Sequence, residues 1–294
     1  MTLEQLRIFL AVAERSHVTR AARALNLTQS AVSAAVAALE AQHGVALFDR
    51  IGRRIELTEA GAGFLPAARA VLAQAETARL VLADFAEQPR GRLRVHASQT
   101  VASYWLPPFL TRFHDANPRV DLSLTVGNTR QVAQAVADGA ADIGFVEGDL
   151  PASDLRRQVV ARDELVLLLA RSHPMARRPG YTAADYQGFQ WLLREPGSGT
   201  RSEVEAHLAR MGLAPDDLTV ALTLPSNEAI LAAVAGSQAV SMLSRRALVA
   251  ARAQGLALRR VTWAPRPTRE FSVLTDPRRH RTRAVAALLE MVKA

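Results

Sequence analysis

Thr28-Gln29-Ser30-Ala31-Val32-Ser33-Ala34-Ala35-Val36-Ala37-Ala38-Leu39-Glu40-Ala41-Gln42, closed by His43-Gly44, is the stretch whose reading decides the fold. Thr28 carries the hydroxyl of a helix N-cap, and Gly44 supplies the backbone freedom that ends a helix. Val32, Val36 and Leu39 recur at helical spacing and face a core. Gln29, Ser30 and Ser33 are short polar groups on the other edge, and the alanines between them allow close approach to a surface. Upstream, Thr2 and Gln5 form a capping-box pair ahead of an apolar stripe at Leu3, Leu6, Phe9, Val12 and Ala13. A second short helix covers about 18–25, and Asn26-Leu27 turns the chain into Thr28.

Two helices joined by a tight turn make a helix-turn-helix. The helix N-terminus at Thr28 offers free N–H groups to a phosphate. Gln29, Ser30 and Ser33 suit base edges or phosphates in a major groove. Downstream, Phe48-Asp49-Arg50 and Arg53-Arg54-Ile55-Glu56-Leu57 read as a two-stranded wing with Gly52 at its tip, where Arg53 and Arg54 reach flanking phosphates. A plain three-helix bundle whose polar face meets only water is the alternative.

Thr58 caps a long helix running to about residue 87. Apolar or small residues at Phe64, Ala68, Val71, Ala75, Ala78, Leu82 and Phe85 follow alternating steps of four and three, a heptad seam. The spacing favours a dimer contact; an amphipathic helix packed on its own domain is the alternative. Pro66 inside the pattern predicts a kink or a lost backbone bond. Gln88-Pro89-Arg90-Gly91 reads as a linker.

Beyond the linker, strand-like and helical runs alternate. Strands are predicted at 93–95, 120–126, 142–146, 164–170, 191–193, 220–224 and 239–243. Helical runs fall at 101–114, 129–137, 200–211, 227–234 and 282–292. The pattern predicts an α/β domain with mostly parallel strands.

Composition bounds the function. The chain has 294 residues, 49% of them hydrophobic and 22% charged, enough for about two ordinary domains and against disorder. It contains no cysteine, which excludes disulfides, thiol catalysis and Cys-ligated metals. The longest apolar runs are far short of a membrane span, and the N-terminus lacks the pattern of a signal peptide. A cytoplasmic protein without a membrane partner is the expectation. The net charge of +8 is unevenly spread: +1 over residues 1–60, −2 over 61–244 and +9 over 245–294. The excess lies far from the helix-turn-helix, so charge alone does not argue for nucleic acid. No G-x-S-x-G, H-E-x-x-H or Walker motif is present, Gly197-Ser198-Gly199 is an isolated G-x-G, and the seven histidines show no ligand spacing. No catalytic or metal-ligating residues and no cofactor are expected. The rival reading is a small-molecule-binding protein or α/β enzyme with a helical bundle that does not bind DNA.

Phe9, Ser16, Ala21-Ala22, Leu25, Thr28 to Ser33, Leu39-Glu40, Gly44, Leu47-Phe48, Arg50, Leu57-Thr58 and Gly61 together resemble the DNA-binding domain of LysR-type transcriptional regulators. The resemblance continues over essentially the whole chain. It implies an α+β multidomain protein. A winged helix-turn-helix (1–57) would be joined by a dimerising linker helix and hinge (58–91) to a periplasmic-binding-protein-like α/β effector domain (92–294). The effector domain would have two subdomains, 92–162 with 268–294 and 163–267, around a cleft. It implies double-stranded DNA as partner, contacted by Thr28, Gln29, Ser30, Ser33, Arg50, Arg53 and Arg54, and a homodimer or homotetramer formed through the linker helix and effector domain. RNA polymerase is a further partner the family admits. A proline early in the linker helix is common there; His43 departs from the usual leucine.

Three turns would meet in the cleft. Ala97-Ser98-Gln99-Thr100, Gly127-Asn128-Thr129 and Glu195 to Arg201 each end a strand and open a helix. Taken singly, each is an ordinary helix cap; converging in the family fold, they suit a small oxyanion or carboxylate. The expected effector contacts are Ser98, Gln99, Thr100, Asn128, Thr129, Glu147, Ser198, Gly199, Thr200, Arg201 and Asn227. Glu147 would repel an anion unless it pairs with Arg201 or is protonated. The motifs Ala97 to Thr100, Tyr104, Leu106-Pro107, Val126-Gly127-Asn128, Asp142 to Gly148, Arg194 to Arg201 and Glu228-Ala229-Ile230 further resemble a sulfur-metabolism subgroup that includes sulfite-responsive regulators. Related regulators with a similar loop respond to metabolites of carbon fixation.

Overall fold

A computed structural model describes residues 1–51, 54–84, 91–150 and 152–293; the side chains of residues 50, 51, 54, 76, 77, 80–84 and 248 lie outside that description. The chain divides into an N-terminal unit and an effector unit.

In the N-terminal unit, α1 (Leu3–Arg15) begins at the Thr2/Gln5 capping box. Helix α2 (Val18–Leu25) ends where Asn26 adopts a left-handed conformation. Helix α3 (Gln29–His43) starts at Thr28, whose hydroxyl accepts from the Ala31 N–H at 3.2 Å, and stops at Gly44, φ +66°. Strands β1 (Phe48–Ile51) and β2 (Arg54–Leu57) pair antiparallel as the wing. Glu40 joins α3 to the wing by accepting from the Leu47 and Phe48 N–H groups at 2.7 and 3.1 Å. The core gathers Leu6, Phe9, Leu39, Leu47 and Ala68, with Phe9 between the rings of Phe48 and Phe64 at 5.3 and 5.1 Å.

Helix α4 (Glu59–Asp84) is continuous through Pro66. Pro66 is the eighth residue of the helix, past its first turn, so its missing N–H forfeits one backbone bond, to the Ala62 carbonyl, without ending the helix. The heptad pattern splits in use. Phe64 and Ala68 pack into the core of their own unit, whereas Val71 is 42% exposed and Ala78 is exposed. Leu82 and Phe85, the last seam positions, lie outside the described residues, as do Gly52 and Arg53 of the wing and 88–90 of the linker.

The effector unit opens with β3 (Gly91–Ser98), α5 (Gln99–Tyr104), α6 (Pro107–Ala116), β4 (Val120–Gly127), α7 (Thr129–Ala137) and β5 (Ile143–Glu147). The predicted helical run 101–114 is broken at Trp105-Leu106, because Pro107 starts a new helix. A long strand β6 (Arg156–Ala170) leads to α8 (Ala183–Gly188), β7 (Gln190–Arg194), α9 (Gly199–Arg210), β8 (Thr219–Leu224), α10 (Asn227–Ala235), β9 (Ser241–Ser244), α11 (Leu248–Ala253) and β10 (Leu256–Arg260). Strand β11 (Thr268–Thr275) and helix α12 (Arg283–Lys293) return the chain.

Two lobes follow from the pairing. In the first, β3 is parallel to β4 and β5, and β11 joins antiparallel to β5 and to the first half of β6. Its core includes Val95, Phe113, Phe145, Phe271 and Leu288. In the second, the far half of β6 pairs antiparallel with β9 and β10, and β7 is parallel to β8. Its cores hold Trp191, Tyr186, Leu167, Ile230 and Leu243. The expectation of mostly parallel strands is corrected: β6 and β11 both run through the lobe junction, where the Leu165 N–H bonds the Pro267 carbonyl at 2.9 Å, and their pairings are antiparallel. Strands β10 and β11 and helices α8 and α11 were not predicted; β10 and β11 sit among arginines and prolines that hide the alternation. No helix among the described residues is long and apolar enough to cross a membrane.

Candidate functional site

Helix α3 buries Val32, Val36 and Leu39 and turns its other face outward. Gln29 and Ser30 are exposed and Ser33 is half-buried. The Gln29 side-chain oxygen Oε1 accepts from the Thr19 hydroxyl at 3.1 Å, and the Thr28 and Ser30 hydroxyls lie 3.0 Å apart. The first of these bonds ties the start of α3 to α2. Gln29, Ser30 and Ser33, with Thr28 at the cap, therefore form one polar edge on a rigid helix. The side chains of Arg50 and Arg54, and all of Arg53, lie outside the described residues.

The second site lies between the lobes of the effector unit, and its polar groups are buried. Ser98, Thr100, Thr129, Glu147, Ser198, Thr200 and Asn227 are each 3% exposed or less. Two arginines share that burial, Arg194 at the end of β7 and Arg269 at the start of β11. The Arg269 guanidinium donates to the Thr200 and Thr100 hydroxyls at 3.0 and 3.3 Å and to Asp163 at 3.0 Å, and lies 3.6 Å from Glu147. Arg194 donates to the Asn227 side-chain oxygen at 2.6 Å and pairs with Glu195. The Asn227 side-chain amide donates to the Thr100 hydroxyl at 3.3 Å, while its backbone N–H donates to the Gln99 side-chain oxygen Oε1 at 2.7 Å. Thr100 and Thr200 face one another at 3.4 Å.

The local sequence explains how these groups converge. Each turn leaves a strand and enters a helix, so its hydroxyl stands at a helix cap. Ser98 precedes α5, Thr129 begins α7 and Ser198 accepts from the Thr200 N–H at the start of α9. Gly199 is required by close approach: a Cβ there would stand 1.9 Å from the Glu147 carbonyl oxygen. Thr129 donates to that same carbonyl at 2.8 Å. Ser98 donates to the Glu147 carboxylate. Burial pushes the Glu147 carboxyl above its ordinary range, with Arg269 pulling it back. At the rim, Gln99 and Tyr104 both donate to Glu228; burial and then that carboxylate push the Tyr104 hydroxyl up to about 12.

Not every expected contact joins this cluster. Asn128 exchanges hydrogen bonds with Gln131 and caps α7. Arg201 pairs with Glu205 at 2.8 Å and donates to the Arg194 carbonyl, so it is not the partner of Glu147. That partner is Arg269. Among the described residues no group of three or more His, Cys, Asp or Glu side chains is placed to hold a metal.

Two family models match the chain: a bacterial regulatory helix-turn-helix protein model of the lysR family over residues 3–62, and a LysR substrate binding domain over residues 86–294. The chain belongs to the LysR family of transcriptional regulators. The uncharacterized HTH-type transcriptional regulator YeiE of Escherichia coli strain K12 is 38% identical, covering 84% of this chain and 82% of that protein. The full-length CbnR complexed with its target DNA is 25% identical with a TM-score of 0.72, covering 100% of this chain and 99% of that one. The regulatory domain of Synechocystis PCC6803 CcmR, solved in complex with 2-PG, is 28% identical with a TM-score of 0.62, covering 69% of this chain and 96% of that one. The chain is a LysR-type DNA-binding transcriptional regulator and not an enzyme.

For this LysR-family chain, sequence reasoning missed the charged centre of the cleft. Arg269 lies in Thr268-Arg269-Glu270, outside any motif, and is opposite Asp163 in the β11–β6 register. The available signal was a lone arginine at the head of the alternating run Phe271-Ser272-Val273-Leu274. Arg194 stood at the head of the quoted motif Arg194 to Arg201 but was not among the expected effector contacts.

Proposed function

We propose that the cleft of this regulator takes a small oxyanion, with sulfite the first candidate, and that its binding alters how a pair of α3 helices engages duplex DNA. The observation that supports the reading is the Arg269 guanidinium, buried against the hydroxyls of Thr100 and Thr200 and within one network with Asn227. Guanidinium and hydroxyl donors held out of water match an oxyanion far better than an apolar ligand. Ser98, Thr129, Ser198 and the backbone at Gly199 complete the lining, Glu147 balances Arg269, and Gln99 acts at the rim; Asn128 and Arg201 support the turns from outside. The same groups bond across the cleft from both lobes, so a bound anion exchanges lobe-to-lobe bonds for its own. It shifts the lobe equilibrium only by its affinity difference between the two states.

At the DNA, Thr28, Gln29, Ser30 and Ser33 contact base edges or phosphates, and Arg50, Arg53 and Arg54 on the wing contact flanking phosphates. Two copies are joined along the exposed part of α4. The effector unit adds a second contact through its edge strands, where Leu124 and Val126 of β4 and Val220 and Leu222 of β8 stand 38–54% exposed. A homodimer or homotetramer with RNA polymerase as a further partner, working in the cytoplasm where its DNA is, completes the reading. A phosphorylated acid is the second candidate effector, favoured by the 2-PG complex of the CcmR domain.

The test is calorimetric titration of the full chain with sulfite, sulfate and 2-PG, paired with anisotropy on DNA from upstream of its own gene. Thr200→Val removes one hydroxyl from the Arg269 cluster and should weaken the bound anion by ~1–3 kcal/mol. Unchanged affinity in that variant removes Thr200 from the site, and no binding of any of the three anions rejects the oxyanion reading.

A further inference from the structure

A second groove in the effector unit, of about 900 Å³, runs beside the lobe junction and is lined mainly by arginine and carboxylate side chains. Eight arginines and five carboxylates border it, a net of three positive charges. Most of the carboxylates are already engaged. Asp163 is held by Arg269, Glu164 by Arg260 with Arg245 at 3.7 Å, and Glu203 by Arg210. Among the described residues, three guanidiniums of the lining remain without a carboxylate partner. Arg162 and Arg266 make no ion pair, and Arg157 donates only to the Ser272 hydroxyl and the Gly148 carbonyl. All three are exposed. Asp149 and Glu270 stand on the lining as well and set a limit on how much negative charge the groove gathers.

We infer that this groove binds a small, non-aromatic polyphosphate, such as an acyclic polyphosphate or a sugar bisphosphate, as a second ligand distinct from the cleft anion. Size and chemistry both point there. The volume is that of a metabolite site rather than of a single ion. A planar guanidinium meets a phosphate with two parallel hydrogen bonds, and several guanidiniums along one groove match several phosphates. The lining offers no aromatic ring for a base to stack on, and Ala206 is its one small apolar side chain. A nucleoside therefore has nothing to hold it there, whereas a string of phosphates does.

The position gives the site a consequence. Arg269 borders the groove, its Nε bonded to Asp163 on that side, while its terminal nitrogens bond Thr200 and Thr100 of the cleft. Arg157 and Arg162 belong to β6 and Arg266 stands two residues before β11, the two strands that cross between the lobes. A polyphosphate bridging them ties both crossover strands together and biases the same lobe equilibrium that the cleft anion addresses.

The experiment is isothermal titration of the full chain with inorganic tripolyphosphate and with fructose 1,6-bisphosphate, at fixed ionic strength, against sulfate as a single-anion control. The double variant Arg162→Gln/Arg266→Gln breaks no ion pair and should weaken tripolyphosphate binding by roughly tenfold or more. The charge-matched double variant Arg171→Gln/Arg252→Gln, altered at exposed arginines off the groove lining, should leave it unchanged. Thr200→Val, which acts on the groove only through Arg269 and the lobe equilibrium, should weaken it far less than Arg162→Gln/Arg266→Gln does while weakening sulfite, which separates this site from the cleft. The inference is overturned if neither polyphosphate binds, if both arginine pairs weaken it equally, or if the loss follows Thr200→Val. Reduced DNA affinity in Arg162→Gln/Arg266→Gln with no polyphosphate binding would reassign these arginines to the DNA backbone and overturn it equally.

Discussion

Helix α3 and the effector cleft use nearly the same side chains in opposite settings. On α3, Thr28, Gln29, Ser30 and Ser33 stand on one short segment with water in front of them. In the cleft, Ser98, Thr100, Thr129, Ser198, Thr200 and Asn227 come from turns as far apart as 129 residues in the chain and are sealed from water. An exposed hydroxyl loses nothing when unbound, so α3 can stay neutral and wait for base edges. A buried hydroxyl must be bonded in every state, so the cleft needs Arg269 and Arg194 to satisfy it. One region is specified by neighbours in sequence, the other by neighbours in space.

The sharpest way to break this contrast is on α3. Ser33→Arg puts a long cation where the groove face has a short hydroxyl. It should abolish the preference for the specific site, a difference of roughly 4 kcal/mol or more, while circular dichroism and the denaturation midpoint stay those of the wild type. Retained specificity would remove α3 from the groove. Next in size, Arg269→Met strips the cation from between Asp163 and Glu147 and should cost about 3–5 kcal/mol in urea denaturation of the effector unit. A loss below ~1 kcal/mol would show that the cluster is wet rather than sealed.

Glu147 sharpens the same point through pH. Burial holds its folded-state pKa above the unfolded value of about 4.3. A raised pKa gives a stability contribution that is full below the unfolded value and lost as pH climbs through the folded one. Wild-type stability should therefore fall relative to that of Glu147→Gln as pH rises out of the acid range, when both are followed by thermal unfolding across the series. The smallest effect belongs to the exposed region. Thr28→Ala removes the hydroxyl that accepts from Ala31 and should cost about 1 kcal/mol of N-terminal stability, read by chemical denaturation.

Legibility follows the same division. The three N-terminal helices, their caps and the wing could be read within a residue or two, because capping hydroxyls, the Gly44 stop and apolar spacing act over a single turn. The alternation of the effector unit was also visible up to about residue 243. It failed at β10 and β11, where Arg259, Arg260, Arg266 and Arg269 mask the strand pattern and prolines interrupt it. The long helix α4 shows a third outcome. Its heptad spacing is real, but Phe64 and Ala68 are spent on the core of their own unit and only later positions such as Val71 and Ala78 remain exposed. Periodicity gives the face of a helix and not its partner.

By itself the sequence determined the winged helix-turn-helix, the polar edge of α3 and the strand-turn-helix character of the three cleft turns, since each depends on residues within a few positions of one another. Tertiary structure alone decided that Arg269 rather than Arg201 meets Glu147, that Asp163 shares that arginine, and that surplus guanidiniums collect beside β6 and β11. Those outcomes depend on which strands pair and in what register, and a charge buried by that pairing must find its partner across the sheet instead of along the chain.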